Sequence, residues 1–430
     1  MEKVYAAILG LGTVGQGVAM MILNNQEIWA RRCGSQIILK RTLERRPERR
    51  LDVELDGVER SSDWRAVVGD PEISVVIETI GGVEPARTYI LEALAAGKNV
   101  VTANKELLAL HGQELFAAAK AAGRDLYFEA SVAGAVPIIS ALRQNLSGSL
   151  LTEVMGIVNG STNYILTRMK REGVGYEDVL EDAQKLGYLE ADPTADVEGL
   201  DAARKAAILA TIAFKSEVVF DDVYTQGITK ITAADMAFAE KLGYAIKLVA
   251  ICRETEGRIE VRVHPALLPA GHPLATVNDS FNAVFVKGYG LDKTMLYGRG
   301  AGRMPTASAV MGDVVEIVRN INFGCQGRLN QVWPREKEIV PIEEVRTRFF
   351  LRLLLADKPG AMARITKVLG DHGVSLDSVL QTELGDGSAE VVFVTHLVRQ
   401  GDMDAALTEI GGLAVTREVK TVLRVEGIDA

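Results

Sequence analysis

The sequence predicts an α/β protein in three parts: a parallel-sheet domain, a mixed α+β domain and a compact βαββαβ tail. Residues 1–132 alternate short β-branched runs (VYAAILG, SVVIETI, NVVTAN, DLYFEASV) with alanine-rich stretches of helical length such as EPARTYILEALAAG and KELLALHGQELFAAAKAAG. That is the rhythm of successive βαβ units. Several of these strands are apolar on both faces, as happens when helices cover both sides of a parallel sheet. At 347–430, FFLRLLLA, helical MARITKVLGDHG, VSLDSVLQTEL, the turn GDG, SAEVVFVTHLV, helical DMDAALTEI and VKTVLRVE follow one another, a complete ferredoxin-like unit.

At 430 residues the chain exceeds one ordinary core, and 48% apolar content lets each part bury its own. The formal net charge of -9 argues against nucleic acid or an anionic membrane as a main partner. Three cysteines (Cys33, Cys252, Cys325), none in a CxxC pair, suggest neither a disulfide framework nor a cysteine zinc site, and a reducing cytoplasm suits them. The start, MEKVYAAILGLGTVG, lacks a basic n-region and is broken by glycines, so no signal peptide is expected. No run approaches the roughly 20 apolar residues of a membrane helix.

Taken in order, the first strand runs into GLGTVG, Gly10 to Gly15, and then into a helix. In that setting Gly10 makes the tight turn, Gly12 lets backbone approach a pyrophosphate, and Gly15 lets helix pack close on strand, which makes this a Rossmann-like dinucleotide loop. The helix N-terminus then offers its N–H groups to the anion. A purely structural glycine turn is the alternative. The second strand, SQIILKRT, ends in Lys40 and Arg41, where an NAD-binding protein carries an acid for the ribose hydroxyls. Cations there suit a 2′-phosphate and predict NADP(H), with Glu44 near enough to keep NAD(H) in play. The same reading accounts for the basic run KRTLERRPERR (40–50), otherwise a nucleic-acid patch or a solvated face.

Residues 133–304 mix longer helices with strands and read as the second, α+β domain. Within it, LDAARKAAILATIAF is apolar on all sides and therefore buried. Pro305 opens PTASAVMGDVVEIVRNI at the position proline favours, predicting a helix over 305–321 that returns to the nucleotide-binding domain. Residues 322–346 hold two prolines and little periodicity and read as a linker.

The stretch GYLEADPTADVEGLDAARK, 187–205, sets Glu190, Asp192, Asp196, Glu198 and Asp201 ahead of Lys205. A solvated acidic loop is the plain explanation. Asp201 and Lys205, however, are i and i+4 at the start of the all-apolar helix, so they share a face and leave water together, as charged pairs that serve a site do. The spacing fails the calcium-loop pattern, so metal coordination by these acids is not expected. A dehydrogenase acting on an amino acid needs a carboxylate for the ammonium and a proton donor beside the carbonyl; Glu190 and Lys205 fill those roles.

GLGTVG, ETIGG (78–82), TANK (102–105), EASVAGAVPII (129–139), GIVNGSTNYIL (156–166), the acidic stretch and GRGAGRMPTASAV (298–310), in that order, resemble the homoserine dehydrogenases. DKPG at 357–360 makes the tail similar to an ACT domain, an amino-acid-sensing module that many members carry. The resemblance implies NAD(P)-dependent interconversion of L-homoserine and L-aspartate 4-semialdehyde, in threonine, methionine and isoleucine biosynthesis. It makes Lys205 the acid/base at the forming alkoxide and Glu190 the group for the substrate amine. Asp196 and Asp201 would line the pocket, and Lys105 would stand between nicotinamide and substrate. It further implies that Gly12, Thr13, Val14 and Gly302 touch the cofactor, beside Gly10, Gly15 and Arg41 from the loop reading. Glu129 and the carbonyls of Val132, Gly134 and Val136 would hold a structural sodium ion. Residues 133–304 become the catalytic and dimerisation domain and 347–430 the regulatory one, with L-threonine the expected effector and a homodimer or homotetramer the expected assembly. Three positions depart from the family: Leu189 replaces a small residue, Ser161 a common threonine, and Lys40 the apolar residue before the arginine.

An acylating semialdehyde dehydrogenase would need a cysteine nucleophile with a histidine base, and no cysteine here sits in such a motif. A non-catalytic NADP-binding amino-acid sensor is the reading from another class, and intact Lys105, Glu190 and Lys205 speak against it. The tail, in turn, could serve pairing alone through its free sheet edge.

Overall fold

The computed structural model describes residues 2–185 and 192–428. The chain begins with β1 (Lys3–Leu9), α1 (Thr13–Asn24), α2 (Gln26–Cys33), β2 (Gln36–Leu43), β3 (Glu59–Ser61), α3 (Trp64–Val68), β4 (Ile73–Glu78), α4 (Ala86–Ala95), β5 (Asn99–Thr102), α5 (Lys105–Ala122) and β6 (Leu126–Tyr127). There follow α6 (Ile138–Ser140), β7 (Leu150–Ile157), α7 (Gly160–Glu172), α8 (Tyr176–Lys185), α9 (Thr194–Val197), α10 (Leu200–Phe214), β8 (Tyr224–Thr225), α11 (Ala233–Lys241), β9 (Tyr244–Thr255) and β10 (Arg258–Pro269). Then come β11 (Phe281–Tyr289), β12 (Asp292–Arg299), α12 (Arg303–Phe323) and β13 (Glu338–Ile339). The tail is β14 (Arg346–Ala356), α13 (Ala361–Asp371), β15 (Leu376–Glu383), β16 (Ser388–Thr395), β17 (Val398–Arg399), α14 (Gln400–Gly412) and β18 (Thr416–Val425). Two compact units result: Met1–Val154 with Arg204–Asp222 and Asn282–Lys337, and Met155–Ala203 with Val223–Phe281 and Glu338–Ala430.

In the first unit the sheet runs β3-β2-β1-β4-β5-β6, every pairing parallel. The order reverses between β1 and β4, and that switch point is where an open α/β sheet leaves a crevice beyond its strand ends. Helix α12 belongs here: Val310, Val314 and Ile317 enter the same core as Val18 and Ile22 of α1. The two helices touch backbone to backbone at Gly17, where a Cβ would sit 2.9 Å from the Arg303 carbonyl. The proline-bearing stretch after α12 is anchored. Trp333 is buried with its ring edge-on to Phe116, 5.1 Å between centroids, and the Gln113 amide donates to its carbonyl at 2.5 Å.

In the second unit β9 and β10 form a hairpin turned by Glu256 and Gly257, both at positive φ, the primed geometry that matches strand twist. The tail adds β18-β14-β16-β15 in antiparallel order, its inner face filled by Phe349, Leu351, Leu353 and Phe393 under α13 and α14. Alternation puts Arg352 on the other face, buried, where it donates to Asp235 of α11 at 2.8 Å and to Glu390 at 2.5 Å. The tail's β18 also pairs in parallel with β10 at Ala266↔Arg424 and Leu267↔Val425.

A buried charge network fastens that join. Glu426 accepts from Arg262 at 2.6 Å, from Arg253 at 3.0 Å and from the Thr347 hydroxyl at 2.9 Å, and Arg262 is fully buried. Burial alone would raise the Glu426 carboxyl, but the charges of Arg262 and Arg253 outweigh it and hold it at about 2 against an ordinary 4.5. A depressed carboxyl contributes stability that is fully present above 4.5 and disappears as pH falls through about 2. Glu426→Gln strands two arginines and is expected to cost roughly 3 to 5 kcal/mol at neutral pH. In urea titrations followed by circular dichroism, the wild type should lose stability between pH 4.5 and 2, and the variant should show a flatter limb there.

Candidate active site

The glycine loop leaves β1 at the switch point. Gly10 takes φ +88°, and a Cβ on it would lie 3.0 Å from the Ile80 Cα, so only glycine fits the turn. At Gly15 a Cβ would fall 2.0 Å from the Gly10 carbonyl and 2.8 Å from the Thr79 hydroxyl, which itself donates to Gly10 O at 2.6 Å. Gly12 differs: no atom lies within 4 Å of a Cβ there. It begins α1 with no side-chain cap, so Thr13 and Val14 open a helix whose first N–H groups face open space. Gly302, φ +122°, starts α12 in the same uncapped way. An anion such as a pyrophosphate fits this arrangement.

Strand β2 does not stop at Arg41. A bulge skips Lys40, pairing Ala6 with Leu39 and Ala7 with Arg41, and the strand continues to Leu43, whose carbonyl accepts the Gly10 N–H at 2.9 Å. Lys40 and Arg41 therefore precede the strand end and are engaged by carboxylates: Lys40 with Asp70 at 2.7 Å, Arg41 with Asp70 at 3.1 Å and with Glu59. Burial works to raise Asp70, yet bonds from Lys40, the Glu72 N–H and Arg41 hold it at about 2. Beyond the strand stands Glu44, gripped by Arg49 and Arg60 at 3.3 Å each. Arg49 also donates to the Leu11 carbonyl, inside the glycine loop, at 2.6 Å.

Across the switch point, Glu78 ends β4 fully buried. Its carboxylate accepts the N–H groups of Ile80 (2.7 Å) and Gly81 (3.2 Å) and the Thr102 hydroxyl (2.5 Å), while burial pushes its carboxyl up. Asn104 caps α5 through the Leu107 N–H at 3.1 Å and donates to Gly82 O at 2.7 Å. Lys105 is thereby the first residue of a helix fixed to the loop after β4. Its neighbour Glu106 pairs with Arg204 of α10 at 3.2 Å, so the sequence neighbours of Lys105 and Lys205 are bonded to each other. Lys205 is 7% exposed and Asp201 5%, the joint burial expected of a helix without a polar face.

Within the second unit, the Asn159 amide donates to Asp196 at 2.6 Å and to Asp201 at 2.9 Å, joining two carboxylates of the acidic stretch. Its oxygen caps α7 by accepting the Thr162 N–H at 2.9 Å. Glu190 and Leu189 lie outside the described residues. Asn159 escaped the sequence reading as a site residue; its one local signal is an asparagine before Gly-Ser-Thr, a helix cap pattern.

Glu129 accepts the N–H groups of Ile139 (2.8 Å) and Ser140 (2.7 Å) at the start of α6, and its own N–H donates to Asp313 of α12 at 2.8 Å. Burial pushes both carboxyls up, and the Glu129 charge adds to the rise at Asp313. Val132 and Val136 are buried, and Gly134 lies so close to Gly300 that a Cβ would meet its carbonyl oxygen at 2.4 Å. Glu129 and Asp313 both line a cavity of about 460 Å³, and oxygen donors of this kind suit a hard cation better than a transition metal.

Comparison with known proteins supplies the family. The model for "Homoserine dehydrogenase" matches residues 137–315, "Homoserine dehydrogenase, NAD binding domain" matches 10–129, and "ACT domain" matches 349–415. The chain is 44% identical to homoserine dehydrogenase of Bacillus subtilis, over 99% of both chains, and 42% identical to that of Pseudomonas aeruginosa, over 96% of this chain and 97% of the other. A homoserine dehydrogenase crystal structure from Thiobacillus denitrificans superposes with a TM-score of 0.92 at 41% identity, covering 99% of each chain. A hyperthermophilic archaeal homoserine dehydrogenase in complex with NADPH gives 0.62 at 29% identity, over 73% of this chain and 97% of that one.

The glycine geometry separates two substitutions. Gly12→Ala should fold with an unchanged melting temperature, since no atom lies within 4 Å of its added methyl, and should weaken dinucleotide binding by roughly tenfold or more, about 1.4 kcal/mol or above, if a pyrophosphate uses that space. Gly15→Ala should lower both melting temperature and affinity, read by thermal melts and NADPH fluorescence titration.

Proposed function

The chain belongs to the homoserine dehydrogenase family, and on that premise we propose that it interconverts L-homoserine and L-aspartate 4-semialdehyde with Lys205 as general acid/base. The observation that carries this is the burial of Lys205 on α10 one turn beyond Asp201, with Arg204 bonded to Glu106 beside Lys105. When bound, the nicotinamide supplies or takes up the hydride at the carbon that bears the oxygen. Lys205 gives its proton to that oxygen in reduction and takes one back in oxidation. An ordinary lysine, pKa near 10.4, is a ready acid and a weak base at neutrality, so the oxidative direction needs a second cation close by, the role we assign to Lys105.

Glu190, Asp196 and Asp201 receive the substrate ammonium, and the Asn159 amide holds the two aspartate side chains beside each other. We assign NADP(H) as the preferred cofactor, with NAD(H) also accepted, held by Gly10, Gly12, Thr13, Val14, Gly15 and Gly302. The cation that meets the 2′-phosphate is then Arg49, already on the glycine loop, rather than Arg41, which Asp70 and Glu59 occupy. A sodium ion at Glu129, Val132, Gly134 and Val136 would offset the two buried acids and serve structure. The enzyme works in the cytoplasm as a homodimer or homotetramer, in threonine, methionine and isoleucine biosynthesis, with L-threonine sensed by the tail. Among the described residues no helix is long and apolar enough to cross a membrane.

Lys205→Ala should lower kcat by roughly 10²-fold or more, the scale of general acid/base catalysis, with an unaltered circular dichroism spectrum; the assay is nicotinamide absorbance with L-homoserine, and wild-type turnover removes Lys205 from the chemistry. In the same assay Arg49→Asp should raise KM for NADPH well above that for NADH, and Arg41→Asp should shift the ratio less. The reverse order would return the phosphate contact to Arg41.

A further inference from the structure

We propose that Lys247 of β9 is a positioning residue for the substrate: its buried ammonium clamps the turn at 277–279 onto α7 and so fixes Asn159, which joins Asp196 to Asp201. This rests on the assignment of those two aspartates to the substrate ammonium and adds what holds them in place. Lys247 is 2% exposed. It donates to the Asn163 side-chain oxygen at 3.1 Å, to the Val277 carbonyl at 2.6 Å and to the Asn278 side-chain oxygen at 3.2 Å. All three acceptors are neutral, so the charge is buried with no carboxylate bonded to it. Such burial is costly, and a site that needed packing alone would be served by methionine. An ammonium brings three N–H groups to these three oxygens, whereas a neutral amine has two and turns its lone pair on the third. The clamp is complete only in the charged form.

Lys247 reaches the aspartates through the first turns of α7. The Asn163 amide donates to the Val277 and Phe281 carbonyls at 3.2 Å each, and the Asn163 N–H to the Asn159 carbonyl at 3.3 Å. One turn on, the Thr167 hydroxyl donates to the Asn163 carbonyl at 2.6 Å and accepts the Asp279 N–H at 3.0 Å. These bonds close a ring between the turn and the stretch of α7 that follows Asn159. The charged groups facing Lys247 are Lys170 and Arg171 on α7 and Asp279 in the turn; among the described residues no other bears on it. Burial, helped by those two cations and opposed by Asp279, brings its pKa from 10.5 down to about 7. As pH rises through about 7 the ammonium is lost, and the hold on Asn159 loosens with it.

The test is the pH dependence of initial rates on the full-length enzyme with L-homoserine. In the wild type KM should rise by roughly threefold or more from about pH 7 to about pH 8.5, because binding weakens with the charged fraction, and kcat should not fall in step. Asn278→Asp is isosteric and sets a carboxylate beside the ammonium, so it should move that rise upward by roughly one pH unit or more. Lys247→Met should show the high KM below pH 7 as well. A folded-state pKa below the unfolded one makes stability grow with pH between about 7 and 10.5. The wild-type melting temperature should therefore gain on that of Lys247→Met over that range, a readout that needs no turnover. A KM profile that Asn278→Asp leaves where it was, or a wild-type KM in Lys247→Met, overturns the proposal and leaves the aspartate assignment standing. If Lys247→Met does not fold, Asn278→Asp decides alone. An unchanged KM in Asp196→Asn, measured alongside, removes the aspartate assignment and the proposal with it.

Discussion

A helix without a polar face has to be buried, and whatever charge it carries goes with it. Residues 200–214 impose that constraint, and much of the site answers to it. Asp201 is buried with the Asn159 amide donating to it, and the same amide ties in Asp196. Arg204, at the rim of the same helix, is satisfied by Glu106. A buried ionised group needs partners within hydrogen-bond reach. Glu106 is therefore the residue that fixes where α10 lies against the first turn of α5. In this protein the burial of an apolar helix and the positioning of its charged residues are one event.

The dinucleotide crevice depends on a different kind of closeness. Gly10 and Gly15 allow main chain to touch main chain, and Thr79 locks the contact through its hydroxyl. Glu78 then uses its burial to hold two loops at once, a structural task that explains why an acid ends an otherwise apolar strand. Asp70 plays the corresponding part outside the crevice, neutralising Lys40 and Arg41. Arg49, paired with Glu44, brings a guanidinium onto the loop itself through the Leu11 carbonyl.

What could be seen in the sequence followed the range of each interaction. Gly10 and Gly15 were legible because their spacing is a local motif, although both also pack against Thr79, far along the chain, and Gly10 against Ile80 beside it, and Asp201 with Lys205 because helical period alone places them together. The ferredoxin-like tail was legible from the succession of its strand and helix runs, while burial alternates in β15 and is nearly continuous in β14 and β16. The true end of β2 was not, since the bulge at Lys40 leaves no local signature and moves the strand end past Arg41. Asn159 meets partners 37 and 42 residues on, and Trp333 meets Gln113 across 220; no window of sequence spans such pairs. The anchoring also explains why 322–346 lacks periodicity without being loose: Asn330 answers to the Arg124 carbonyl, Trp333 to Phe116 and Arg335 to Asp222, rather than to a face of their own.

The pairing of β18 with β10 has a consequence for how such a tail can be exchanged between proteins. Arg262 and Arg253 sit on one partner and Glu426 on the other, so each segment is chemically complete only with its own counterpart. A chimaera that transplants residues 346–428 onto a foreign core inherits an acid that has lost both arginines, and the donor core left behind keeps Arg262 and Arg253 with Glu260 as the carboxylate they share. Grafting succeeds only if the hairpin of β9 and β10 travels with the tail, which makes the hairpin part of the exchangeable cassette.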